Sequence, residues 1–199
     1  MNPNLTPQFL RTSGFIAFLP DWIQRYVEYA GLQEYSTNEE RLLFAIELSR
    51  INVQNRTGGP FGAAVFHLDS GKLLGLGVNR VIASGDPTAH AEVLALRTAC
   101  RLIGNYSLRE AGARAGLYTS AEPCGMCATT ALWSGVQEIF YGAPATTVEA
   151  IGFDEGLKPK DWEKEVTRRG IVVRGSLLKD EAVSVLQDYK LRGGVIYNG

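Results

Sequence analysis

Two short runs, His90-Ala91-Glu92 and Pro123-Cys124-Gly125-Met126-Cys127, constrain this chain more than anything else in it. Each falls where a loop enters a helical pattern, so the fold has to bring two helix N-termini together. Unsatisfied backbone N–H groups and the positive end of the macrodipole favour anions there. Cys124 and Cys127 stand three residues apart, share one helical face and can grip one ion. Thiols bind metal as thiolates, and a helix N-terminus lowers a thiol pKa. His90 adds an imidazole from the neighbouring helix. Three protein donors leave a fourth position open, which is the pattern of a catalytic zinc (Zn2+) and not of a closed structural one. Glu92, two residues past His90, need not face the metal. A carboxylate beside a metal-activated water can take its proton.

Other readings of the same residues stay open. A lone C-x-x-C also suits a redox pair, although that predicts a preceding thioredoxin-like βα unit and has no use for His90 or Glu92. A zinc-stabilised protein without catalysis would keep the three ligands and not need Glu92. Cys100 lies on the apolar stripe of its helix and is expected in the core; His67 ends a strand. Neither has a metal-like spacing to the rest.

Composition bounds the setting. A chain of 199 residues, 45% hydrophobic, is long enough to bury a real core. Three cysteines, two of them in one C-x-x-C, make no disulfide framework and point to a reducing cytoplasm. A net charge of -1 offers no strong field to nucleic acid or to an anionic membrane. The apolar patch from Gly14 to Leu19 is too short to span a bilayer.

The order of elements alternates. Residues 1–35 read as an N-terminal extension with a short helix from Asp21 to Ala30, stopped by Gly31, and residues 36–199 as the functional domain. Thr37 and Glu40 form a capping box ahead of a helix whose Leu42, Leu43, Ile46 and Ile51 recur at helical spacing. Asp69-Ser70-Gly71 joins two β-rich runs, Phe61 to Leu68 and Lys72 to Val78, as a hairpin. A helix near Ala89 follows, with Val93, Leu96, Cys100 and Ile103 as its buried stripe. Strands are expected at 116–119, 137–141 and 171–174, and further helices from Met126, at 147–151, 162–169 and 179–191. The fold class is therefore α/β, with helices on both faces of one five-stranded mixed sheet.

The pattern H-x-E…P-C-x-x-C resembles the signature of the zinc-dependent nucleobase and nucleoside deaminases. The resemblance covers roughly Thr37 to Asn198 and implies a cytidine deaminase-like three-layer α/β/α sandwich. It also implies His90, Cys124 and Cys127 on Zn2+, Glu92 as proton shuttle, and substrate held at the Ala91 backbone N–H. Within that superfamily the chain is most similar to bacterial guanine deaminases. The stretches that carry this are Gly59-Pro60-Phe61, Asn79-Arg80, Ser120 to Cys124, Val148 to Glu155 and Gly194 to Asn198. By that resemblance Asn79 hydrogen-bonds a purine edge, Phe61, Phe153 and Asp154 border the ring, and Glu155 is a second catalytic carboxylate. The implied reaction converts free guanine to xanthine and ammonia, in a homodimer paired through helices. Asn79 equally suits a turn, Phe61 a strand core, and Asp154 and Glu155 an exposed loop. The same signature serves transfer-RNA adenosine deaminases, which need a basic stripe, and this chain offers no basic run longer than Arg168-Arg169. Guanosine, cytosine, cytidine and triazine-like rings are further substrates compatible with it.

Overall fold

The computed structural model describes residues 19–30 and 35–198. The chain runs through α1 (Trp22–Ala30), α2 (Asn38–Gln54), the hairpin β1 (Gly62–His67) and β2 (Leu73–Val78), and a short α3 (Val81–Ser84). There follow α4 (Ala91–Ile103), β3 (Ala115–Ala121), α5 (Gly125–Ser134), β4 (Glu138–Ala143) and α6 (Ala145–Ile151). The chain continues through α7 (Trp162–Arg168), β5 (Val172–Arg174) and α8 (Lys179–Leu191). Gly31 and residues 14–18 of the apolar patch lie outside the described residues; Leu19 is buried. Among the described residues no helix is long and apolar enough to cross a membrane.

One mixed sheet, ordered β2-β1-β3-β4-β5, carries the helices. β1 runs antiparallel to both β2 and β3, while β3, β4 and β5 are parallel. Strand side chains alternate between faces, so Ala64, Phe66, Tyr118 and Phe140 join one core with α1, α2 and α8. Ala63, Val65, Leu117 and Ile139 join a second core with α4, α5 and α7. The expected three layers and five strands are present.

Topology places the site. Because β1 opposes its neighbours, its start, the end of β2 and the end of β3 share one sheet edge. Phe61, Asn79 and Glu122 lie just beyond those ends. In α/β sheets ligands bind beyond the carboxyl ends of parallel strands. Gly77 on β2 then sets the depth of α4. A Cβ there would lie 2.2 Å from the Ala91 carbonyl oxygen, so only glycine lets the helix backbone rest on the strand. That contact seats His90 and Glu92 over the strand ends.

Several expectations need correction. The capping box is formed, with Glu40 N–H donating to Thr37 Oγ1 (3.1 Å) and Thr37 N–H to Glu40 (3.0 Å). Of the expected α2 stripe, however, Leu43 is 42% exposed and Ile51 half-buried. The buried face runs through Leu42, Ala45, Ile46, Ser49 and Val53 and even takes in Arg41. Arg41 is tolerated because its guanidinium donates to the carbonyls of Tyr35 and Leu68 and to the Tyr118 hydroxyl. On α4 the stripe is displaced too: Val93, Cys100 and Ile103 are half-buried, and Ala91, Leu94, Ala95, Thr98 and Ala99 face inward. Small residues form the buried face there, because glycines on β2 accept an alanine face. Cys100 is thus a shoulder residue, its Sγ donating to the Tyr106 carbonyl at 3.3 Å. Helix α3 was not anticipated.

Candidate active site

His90 and Cys124 are the N-cap residues of α4 and α5, both with extended backbone and neither spending its side chain on a cap. Their donor atoms are therefore free to converge. Cys124 Sγ and Cys127 Sγ each lie 3.6 Å from His90 Nδ1, and the three donor atoms fall within 4.8 Å of one another. Zinc bonds of about 2.3 Å to sulfur and about 2.0 Å to nitrogen, at a tetrahedral angle, separate S and N ligands by about 3.5 Å. The donor set fits that metal. The Cys127 side chain, helped by His90 and against burial, brings the Cys124 thiol down to about 4, whereas Cys127 is pushed well up.

Beside this triad lies a cavity of about 530 Å³ into which His90, Glu92, Cys124, Phe61, Asn79 and Glu155 all open. Glu92 is buried in the first turn of α4. Burial, followed by the charge of Cys124, pushes its carboxyl up to about 7. Glu155 is not an exposed loop acid: it is only 8% exposed, and burial raises it to about 7 against the pull of Lys158. Gly125 explains how that loop reaches the metal motif. The Gly125 N–H donates to the Glu155 carbonyl at 3.1 Å, and a Cβ on Gly125 would meet the Leu157 carbonyl oxygen at 2.1 Å.

Lys158, a residue the sequence reading missed, holds the loop from the other side. Its Nζ donates to Glu122 Oε1 (2.9 Å), the Pro123 carbonyl (3.0 Å) and Glu155 Oε2 (3.3 Å), which uses all three of its donors. Glu122 in turn accepts from Trp162 Nε1 and from the Ala145 N–H. No periodicity announces a single lysine between Gly156 and Pro159.

Asn79 is buried just past β2. Its Nδ2 donates to the Tyr197 hydroxyl, and its Oδ1, also buried, has no partner. Phe61 and Phe153 touch edge to face with centroids 5.0 Å apart, so they form one wall. Tyr197, within the Gly194 to Asn198 stretch that carries the resemblance but with no role expected of it, extends that wall onto Phe153 at 5.3 Å. Asp154 lines the cavity but is exposed, and its carboxylate is occupied by the Gly156 N–H at 2.6 Å. Ala91 is fully buried at the first position of α4, where amides lack intrahelical acceptors. His67 lies apart, its ring accepting from the Ser70 N–H.

Residues 36–143 match the cytidine and deoxycytidylate deaminase zinc-binding region. The chain belongs to this deaminase family. A guanine deaminase of Bacillus subtilis is 39% identical over 134 residues, spanning 67% of this chain and 82% of that protein. The structure of a guanine deaminase from Nitrosomonas europaea superposes with a TM-score of 0.80 at 39% identity, over 87% of this chain and 94% of that one. A tRNA-specific adenosine deaminase of Haemophilus influenzae matches over a shorter stretch, 36% identical across 115 residues, 58% of this chain and 63% of that protein. The chain is accordingly a member of a family of zinc-dependent aminohydrolases with this fold.

Proposed function

We propose that this deaminase hydrolyses free guanine to xanthine and ammonia. One observation carries the reading: two of the three metal donors (His90 and Cys124), two buried carboxylates and Asn79, whose amide oxygen has no partner, all line a single cavity. His90, Cys124 and Cys127 would hold the zinc, which when bound lowers the pKa of a water and so supplies the nucleophile. Glu92 takes the proton of the hydrolytic water and delivers it to the ring nitrogen beside the carbon that loses its amine. Glu155 serves the exocyclic amine, which leaves as ammonia. A second acid suits guanine, whose amino-bearing carbon lies between two ring nitrogens. Asn79 Oδ1, a buried acceptor without a donor, meets the N–H edge of the base, since leaving it unpaired costs about 1–3 kcal/mol. The phenyl rings of Phe61 and Phe153 border the ring, and the Ala91 amide holds its polar rim. Asp154, bound to its own turn, shapes the loop more than it contacts the base.

The same reading takes the protein as cytoplasmic, in keeping with its free cysteines, and as having no nucleic-acid partner, since a net charge of -1 gives a polyanion little to hold. It also takes it as a homodimer; Trp133 (72% exposed) and Tyr106, beside the groove between α4 and α5, offer apolar surface for a second copy.

Ammonia release from guanine, guanosine, cytosine, cytidine and an adenosine-bearing RNA hairpin tests the substrate. Guanine is expected to give the highest kcat/KM; cytosine or the hairpin ahead of it by about tenfold, or about 1.4 kcal/mol, would end the guanine assignment. The metal is tested separately. Protein purified without chelator is expected to carry about one zinc per chain and Cys124→Ala to lose it, because two remaining donors cannot complete a catalytic site. Full zinc retention by Cys124→Ala would contradict the ligand set.

A further inference from the structure

The N-terminal helix contributes nothing to the metal motif, yet hydrogen bonds tie it to the strand end that presents Asn79. Trp22, on α1, donates from Nε1 to Thr57 Oγ1 at 3.0 Å. The Thr57 hydroxyl donates to Asn52 Oδ1 at 2.7 Å. A hydroxyl has one proton and accepts on its lone pairs, so a donor arriving from Trp22 leaves that proton directed at Asn52. With its oxygen occupied, the fully buried Asn52 amide turns Nδ2 to two main-chain carbonyls, Gly59 at 2.9 Å and Asn79 at 3.0 Å.

The backbone gripped in this way has no slack. A Cβ on Gly58 would lie 1.8 Å from the Asn79 carbonyl oxygen, so the loop after α2 packs flush against residue 79. A second tie runs in parallel through the next residue. Arg80 donates to the Thr57 carbonyl, and Asp21, just ahead of α1, offsets the cost of burying that guanidinium. Trp22, Thr57 and Asn52 do not line the cavity, so none can touch a substrate there.

We infer that Trp22, Thr57 and Asn52 are positioning residues that fix the main chain of Asn79, so that its unpaired amide oxygen is held toward the purine edge. The N-terminal segment thereby acts on substrate binding. The inference rests on reading Asn79 as a substrate anchor.

Zinc-loaded, full-length protein is assayed on guanine as Trp22→Phe, Thr57→Val, Thr57→Ser, Asn79→Ala and the Trp22→Phe/Asn79→Ala double variant. Trp22→Phe keeps a ring in the core without the N–H, and Thr57→Val keeps the shape without the hydroxyl. Each is expected to lower kcat/KM about three- to tenfold, the span of one neutral hydrogen bond, mainly through KM and with zinc content unchanged. Thr57→Ser, which restores the hydroxyl, is expected to stay within about twofold of wild type, and so is the effect of Trp22→Phe once Asn79 is alanine, because coupled residues are non-additive. An equal loss from Trp22→Phe in both backgrounds, or a change only in thermal stability, overturns the relay and leaves the helix a structural support. If Asn79→Ala itself stays within about twofold of wild type, the anchor reading fails and the inference with it. A defective Asn79→Ala with an additive Trp22→Phe effect sinks the relay alone.

Discussion

Glu92→Gln is expected to keep the fold and the zinc and to lose turnover by at least about 10²–10⁴-fold, the usual cost of a missing general base. The carboxylate is buried in the first turn of α4, opens into the cavity beside His90 and Cys124, and is pushed up to about 7. A group that titrates near neutrality can both accept and return a proton at working pH. Glutamine has nearly the same shape and can still hydrogen-bond, but it cannot carry a proton between water and ring. In the proposed mechanism one carboxylate serves successive transfers, so the loss can exceed the range for a single step. Burying a charged carboxylate costs stability, so the neutral amide should not lower the melting temperature. The decisive comparison is kcat for ammonia release beside zinc content and thermal unfolding of the same preparation. A well-folded, zinc-replete variant turning over at near wild-type rate would remove Glu92 from the chemistry.

The parts of this site legible in the sequence are those encoded by local spacing. His90, Glu92, Cys124 and Cys127 announce themselves because two helix N-termini impose the spacing of their own donors, and the donor atoms do converge. The sheet was legible for a similar reason: runs of β-rich residues alternate with helical stripes, and Gly71, at φ 65, closes the hairpin where a turn was expected. What escaped depends on approach between distant segments. The inward face of α4 could not be read from its large apolar residues, since it is chosen by Gly75 and Gly77 on another strand. Glu155 looked like a loop acid because its burial comes from Gly125 admitting the Leu157 carbonyl, and from a lysine with no periodic signal. Asn52 lies on the core face of α2 and gives no hint that its amide spans to residue 79.

Glu155→Gln is expected to lower kcat on guanine on the order of 10²-fold, with KM within about threefold, because the change removes a proton carrier without removing volume. Lys158 decides how that carboxylate is presented. It occupies one oxygen, Oε2, and it ties the loop to the Pro123 carbonyl just before a metal donor. Lys158→Met keeps most of the apolar stem and deletes the charge. Removing a cation that lowers the Glu155 pKa must raise that pKa, so less of the carboxylate is ionised at a given pH. Glu155 protonates the leaving amine in the proposed mechanism and so acts in its protonated form; the basic limb of the kcat profile is therefore expected to move to higher pH in Lys158→Met. Glu122 cannot take over from the lysine, because it is itself a carboxylate, held low against burial by the Ala145 amide, Lys158 and Trp162. Combined with Glu155→Gln, the lysine change should cost far less than it does alone, the mark of two residues acting as one unit. Measurement of kcat against pH for wild type, each single variant and the double variant settles the point. An unmoved basic limb in Lys158→Met, or strict additivity in the double variant, would mean that Lys158 only staples the loop and that Glu155 handles its proton unaided.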